Sequence, residues 1–288
     1  MLVGALTGYA RQAYAACDPN PASPFFVCSG ANAATQNILL IDNATVSTVA
    51  GFSVDAAAGN AISITGDGAL SYTDTNASYL RAPGTALFIK SNGDAPGPVP
   101  GSVTVDSDGT LIAVDFGIDA RNYGSGAVAV TANGDITATD FFGDGINAFN
   151  SVAGSDLTVT TGANSTVTAA DAAIFANSRG SGALMITANG DLFGAGGIVA
   201  ENYFGTGLSV TTGAGTTAKG TYNGIIALNF RGTMSIAAYG NVTGTNTVGI
   251  FALNYAGAST LTVTTGAGSK VTGGFFGGIL PTTMAAGR

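Results

Sequence analysis

The chain has 288 residues, of which 44 are Gly, 46 % are apolar and only 9 % are charged, with a net charge of −8 at pH 7. Histidine is absent, which removes imidazole bases and the commonest metal ligand. The nine Lys and Arg are scattered singly, so no basic stripe is offered to nucleic acid, and the acidic balance opposes anionic lipid while keeping an apolar-rich chain in solution.

Residues 1–15 read MLVGALTGYARQAYA. A short apolar run followed by the small-x-small triplet Ala13-Tyr14-Ala15 predicts a signal peptide cleaved after Ala15. No basic segment precedes the apolar run, so the reading places the natural start upstream of Met1. Tyr14-Ala15-Ala16-Cys17 matches a lipoprotein box only weakly, its first position not being Leu. No run of 18 apolar residues occurs, hence no transmembrane helix is expected. Residues 35–60 are apolar and strand-like but off-period, and residues 16–60 are read as a cap over the first coil. Within them Cys17 and Cys28 are expected to form a disulfide if the chain is exported, and to stay free thiols in a cytosolic setting.

From residue 61 a repeat governs the chain. Ile62 to Gly68 and Val103 to Gly109 have the grammar of strand plus turn, and the Pro- and Gly-rich stretch 94–101 between them is a loop. The phrase Gly-Ile-x-Ala-x-Asn then recurs at Gly117, Gly145, Gly197, Gly224 and Gly249, with a slipped copy at Ala173 to Asn177. A second phrase follows each, in two alternating forms: Val-Ala-Val-Thr-Ala-Asn-Gly from Val128, and Leu-Thr-Val-Thr-Thr-Gly from Leu157. The full unit is a pair of coils, 52 residues from Gly145 to Gly197 and again to Gly249. Inside each phrase the period is two, so Ile198, Ala200 and Asn202 share one face of a strand. One apolar residue, such as Ile136 or Val167, follows each turn. Such a unit cannot bury its apolar face alone, and stacking closes a continuous core. The fold class expected is all-β: a single-stack parallel β-helix over residues 61–288, with about three short strands per coil of 24–28 residues, and eight or nine coils in a rod of about 40 Å.

Parity aims the recurring Asn inward, where an amide needs partners. Asn122, Asn150, Asn177, Asn202, Asn229 and Asn254 are therefore read as a ladder of side chains along the axis, against the plainer reading that Asn only favours the turn. Outward positions turn apolar late in the chain. Ile226, Leu228, Phe251 and Leu253 would stack into an exposed patch and are the candidate interface; ordinary lateral packing of neighbours is the competing account. At the C-terminus, Gly277-Gly278-Ile279-Leu280 starts a further coil that Pro281 interrupts, and the helix is read as truncated there.

The Ala-Tyr-Ala-Ala-Cys start, the segment Gly59 to Leu70 and the paired coils together resemble bacterial autotransporter passenger domains of the Gly- and Thr-rich type. The resemblance implies export by Sec, a right-handed parallel β-helix, and display at the cell surface or outside it through a C-terminal translocator barrel of a longer parent chain. No barrel follows within residue 288, so a periplasmic location is the alternative. Catalytic passengers of the family carry Ser-protease or lipase motifs, and no Gly-x-Ser-x-Gly elbow occurs here.

Other chemistry rests on carboxylates. Asp140 and Asp144 flank Phe141-Phe142-Gly143 in one corner and could aim two acids at a sugar; Asp106 and Asp108 could contribute to a Ca²⁺ site. Asp is also the ordinary turn residue, and no cofactor or metal is expected. The function expected is therefore passive: a surface-displayed or secreted stalk or adhesin-like passenger, with a host or surface ligand as partner. A carbohydrate-binding or carbohydrate-cleaving β-helix is the first alternative, and a non-functional fragment of a longer gene the second.

Overall fold

The computed structural model describes residues 16–19, 23–97 and 99–283; the expected leader, residues 1–15, lies outside them. Every regular element among these residues is a strand. Runs of Val, Ile, Leu and Thr alternate inward and outward for a few residues, and Gly, Asn or Asp ends each run.

Three strands make one turn of a solenoid. In one such turn they are Val128–Ala132 on face A, Ile136–Ala138 on face B and Ile146–Asn150 on face C. Each pairs in parallel with its counterparts in the turns before and after: Val103, Val128 and Leu157 stack on face A, Leu111, Ile136 and Val167 on face B, Ile118, Ile146 and Ile174 on face C. Among the described residues face A holds 11 strands. The first, Ala16–Pro19, is antiparallel to the second, Phe25–Ser29. The other ten define ten turns, more than the repeat alone suggested, in a rod of about 48 Å. Numbered from Phe25, the turn just described is turn 5 and the last, ending at Gly277–Thr283, is turn 10.

The stack also begins earlier than expected. Phe25–Ser29 pairs in parallel with Thr45–Thr48, and that strand with Ala69–Asp74. Residues 25–66 thus form two ordinary turns rather than a cap, disguised by irregular corners and by the lack of the Gly-Ile phrase. Among the described strands only Ala16–Pro19 runs against the stack, with Cys17 opposite Cys28 and the two joined by a disulfide.

Inward side chains form files of like residues. Ile62, Leu87, Ile118, Ile146, Ile174 and Ile198 are all fully buried. The repeated Gly just before this file is required by space. A Cβ on Gly145 would meet Cγ1 of Val167 and sit 2.6 Å from the carbonyl oxygen of Ala173. The two alternating phrases also acquire a reason. The hydroxyl of Thr161 accepts the N–H of Gly190 in the Asn-Gly corner of the next turn at 3.1 Å, and Thr212 does the same for Gly240 at 3.1 Å. A Thr-type corner thus completes the glycine-containing corner above it.

The corner between faces B and C varies most. In turn 5 it is the long loop 139–145, whose tip carries Phe141 and Phe142. In turns 7 and 8 single strands, Asp191–Asn202 and Thr217–Asn229, run through both faces. At turn 7 the corner is only Ala195 and Gly196. Residues 94–101 are the expected loop, closed by an Ala95–Val99 bridge and by Asp94, whose Oδ1 accepts the N–H groups of Gly101 and Ser125, each at 2.7 Å. Those two bonds hold the Asp94 carboxyl below the usual carboxylate range.

Candidate functional site

Three features of the surface and interior bear on function. The first is the amide file at the corner after face C. Asn122 donates to Asn150 at 3.0 Å, Asn202 to Asn229 at 2.7 Å and Asn229 to Asn254 at 3.2 Å. All five are fully buried. Remaining amide hydrogens go to corner carbonyls, such as Asn122 to Gly126 at 2.9 Å and Asn150 to Asp156 at 3.0 Å. Asn177 does not belong to this file. Its register partners are Phe149 and Glu201, and Ser178 stands opposite Asn150 and Asn202. Asn177 therefore faces outward and donates to Oε2 of Glu201 at 2.7 Å. The slipped copy keeps Ile174 and Ala176 inward, so parity places the Asn on the other side and the Ser on the rung. Ser91 fills the equivalent rung below Asn122.

The second feature is a cluster of carboxylates on the outer side of face C. Asp140 and Asp144 do not act as a pair. Asp140 is exposed and closes its own loop, accepting the N–H of Phe142 at 3.4 Å, whereas Asp144 is buried and accepts the N–H of Ala172 at 3.0 Å. The partners of Asp144 are Asp171 and Asp119, neither of which the sequence singled out. Desolvation, with these two neighbours adding to it, pushes the Asp144 carboxyl up to about 7. Asp119 is buried as well, and desolvation raises it despite its bonds to Nε of Arg121 at 2.7 Å and Nδ2 of Asn147 at 3.1 Å. Asp171 is also raised, by desolvation. The loop 139–145 is held at the corner, where the N–H of Asp140 donates to the carbonyl of Val114 at 2.7 Å and the N–H of Asp171 donates to the carbonyl of Gly143 at 3.1 Å, and this sets Asp144 beside Asp171, a tertiary effect with no signature in the repeat. Asp106 points out of face A, while Asp108 accepts from Asn133 of the next turn at 2.8 Å and so serves the corner. Among the described residues no three such side chains gather in a way that would hold a metal ion.

The third feature lies farther along the same face. Ile226, Leu228 and Phe251, three of the four residues of the expected patch, line a groove of about 460 Å³ with Phe276 and Leu280. Leu253 is stacked on Leu228 beside it, outside the lining. Leu280 continues the file of Phe251 and is exposed. Phe276 belongs to the corner above.

One exterior file escaped the sequence reading. Tyr203, Phe230 and Tyr255, each following its ladder Asn, stack face to face with ring centroids 4.6 and 3.8 Å apart. Arg179 covers the other side of Tyr203 at 5.5 Å, and also Phe149 at 5.8 Å. The aromatic in the position after Asn was the available signal. Because the ring faces are occupied by one another, this file stiffens the corner rather than offering a platform.

No protein-family model, no curated protein and no solved structure matches this chain.

Proposed function

We propose that the chain is an exported structural rod of the autotransporter-passenger type, acting as a rigid stalk or adhesive surface without chemistry of its own. In this reading Sec export and a translocator barrel of a parent chain bring it to the cell surface or beyond. The observation that carries the proposal is the contrast between its inner and outer residues. Inward files repeat Ile, Ala and Asn from turn to turn, while the outward positions above them change from Asp119 to Asn147, Phe175, Val199 and Ile226. A repeat protein under this pattern keeps a length and a stiffness and leaves its surface free to vary. The disulfide at the first turn suits an oxidising compartment. Carbohydrate cleavage would have to run on Asp119, Asp144 and Asp171 instead of the Asp140 and Asp144 pair, and all three sit where desolvation favours the neutral acid.

The test is expression of the 288-residue chain in a Gram-negative host, followed by fractionation and N-terminal sequencing. The expected product begins at Ala16, lies outside the cytoplasm, has no free thiol and releases no reducing sugar from polysaccharides. A cytoplasmic product that retains Met1 with both thiols free overturns the export part; release of sugar overturns the passive part.

A further inference from the structure

Scattered singly in the sequence, four of the nine Lys and Arg come together in the fold on one edge of the rod, where face C turns into face A. Lys90 and Arg121 are register partners at turns 3 and 4. Arg179 follows Ser178, the rung residue of turn 6, and Arg231 lies two residues beyond Asn229, the rung residue of turn 8. Aromatic rings hold these cations in place. Lys90 sits 5.2 Å from the centre of the Tyr123 ring, and Arg179 lies between Phe149 and Tyr203. Arg231 covers Phe204 at 5.7 Å, and that ring is 6.4 Å from Tyr203. Arg179 and Arg231 are both exposed. Among the described residues the ion pairs are Arg81 with Asp55 and Arg121 with Asp119, so neither Arg179 nor Arg231 has a carboxylate. A guanidinium laid on a ring keeps its N–H groups free at its rim, arranged for a bidentate acceptor.

We propose that this edge binds an extended acidic polysaccharide with a carboxylate on alternate sugars, one carboxylate on Arg179 and the next on Arg231. Such a polymer is a ligand for the adhesive surface proposed above, and the assignment rests on that reading. Spacing selects it. The two arginines stem from turns two apart, about 10 Å along the axis, and a sugar in an extended chain is close in length to one strand spacing. Tyr203 and Phe204 of turn 7 stand between them, and Phe204, 51 % exposed, gives the uncharged sugar an apolar contact. Charge density disfavours a denser polyanion. Asp94, Asp119, Asp156 and Glu201 share the edge with the four cations, so a chain with a phosphate on every unit would meet as many like charges as opposite ones. A single-stranded nucleic acid would also need ring faces to stack on, and those of Tyr203, Phe230 and Tyr255 are taken by one another.

Fluorescence polarisation of a labelled hyaluronan oligosaccharide, whose carboxylates fall on alternate sugars, tests this with the purified full chain at neutral pH. Wild type is expected to bind it, to ignore neutral dextran, and to hold oligothymidylate at least about tenfold more weakly. Arg179→Ala and Arg231→Ala should each lower the affinity for hyaluronan at least about tenfold, the loss of one bidentate pair. Their urea unfolding midpoints should match wild type, since both side chains are exposed. Arg179→Lys keeps the charge without the fork and should lose most of the same affinity, whereas Arg81→Ala on face B should lose none. A wild type that binds no hyaluronan overturns the proposal. So does binding that survives Arg179→Ala or Arg231→Ala, full affinity in Arg179→Lys, or oligothymidylate held as tightly as hyaluronan. None of these outcomes touches the export reading, which is decided by where the chain is found and how its N-terminus is processed.

Discussion

At the scale of single residues, position on the inner file decides the energetic weight of an amide. Asn202 accepts the N–H of Gly205 at 3.2 Å and donates to Asn229 and to the carbonyl of Arg231 at 3.2 Å. Removing it leaves buried groups unsatisfied, so Asn202→Ala should cost about 2–4 kcal/mol in urea unfolding. Asn177→Ala should stay within about 0.5 kcal/mol, because its side chain has one bond, to Glu201, and its Oδ1 is buried without a partner. Equal losses at both positions would show that the amides act as turn formers alone. Gly145→Ala should destabilise by more than the ordinary strand propensity difference, on the order of 2 kcal/mol or more, since the added Cβ overpacks against the buried Val167 side chain and against the Ala173 carbonyl, which is backbone and cannot move aside. Five of the six ladder positions were legible from parity. The sixth was misread because the phrase was matched by its letters, when the inward Ile174 and Ala176 already fixed which way Asn177 pointed.

At the scale of elements, the loop 139–145 is where the sequence was least informative. A repeat describes what stacks and is silent on what an insertion folds over. The pairing of Asp144 with Asp119 and Asp171 arises only once this loop is bonded to Val114 and Asp171 at the corner. Its consequence is a pH dependence of definite sign. The folded state holds the Asp144 proton to about 7, whereas the unfolded chain releases it near the ordinary carboxylate value of 3.8. Between these two values the folded state binds more protons, so stability falls as pH rises from about 4 to about 7 and levels off above. Asp144→Asn keeps an acceptor for the Ala172 N–H and removes the charge. It should flatten this slope in unfolding midpoints measured from pH 4 to 8, and leave the variant more stable than wild type at pH 8. A wild type whose stability rises across that interval would mean that Asp144 is charged at little cost in the fold.

At the scale of the whole molecule, the alternating corners make the coil pair, and not the single coil, the unit that can be removed. Deleting residues 146–197 joins Gly145 to Ile198 and places the face A strand ending at Thr212 on the one ending at Ala132, in place of the Ala188 strand it now covers. Ala132 and Ala188 are equivalent, so every corner keeps the kind of neighbour it had. Deleting residues 146–173 instead joins Gly145 to Ile174 and sets two Asn-Gly corners on each other. The N–H of Gly190 then loses the Thr161 hydroxyl and faces Ala132, a buried donor without a partner that costs about 1–3 kcal/mol. Energies in a solenoid add from one interface to the next, so both deletions shorten the rod, but only the first should leave stability per turn unchanged. Small-angle scattering should show the 52-residue deletion about 10 Å shorter with a single cooperative melt, and the 28-residue deletion should melt at a lower denaturant concentration despite retaining one more turn. If the shorter deletion is the more stable of the two, the Thr-to-Gly corner bond is not what maintains the alternation, and the pairing of coils must come from the lengths of the corners themselves.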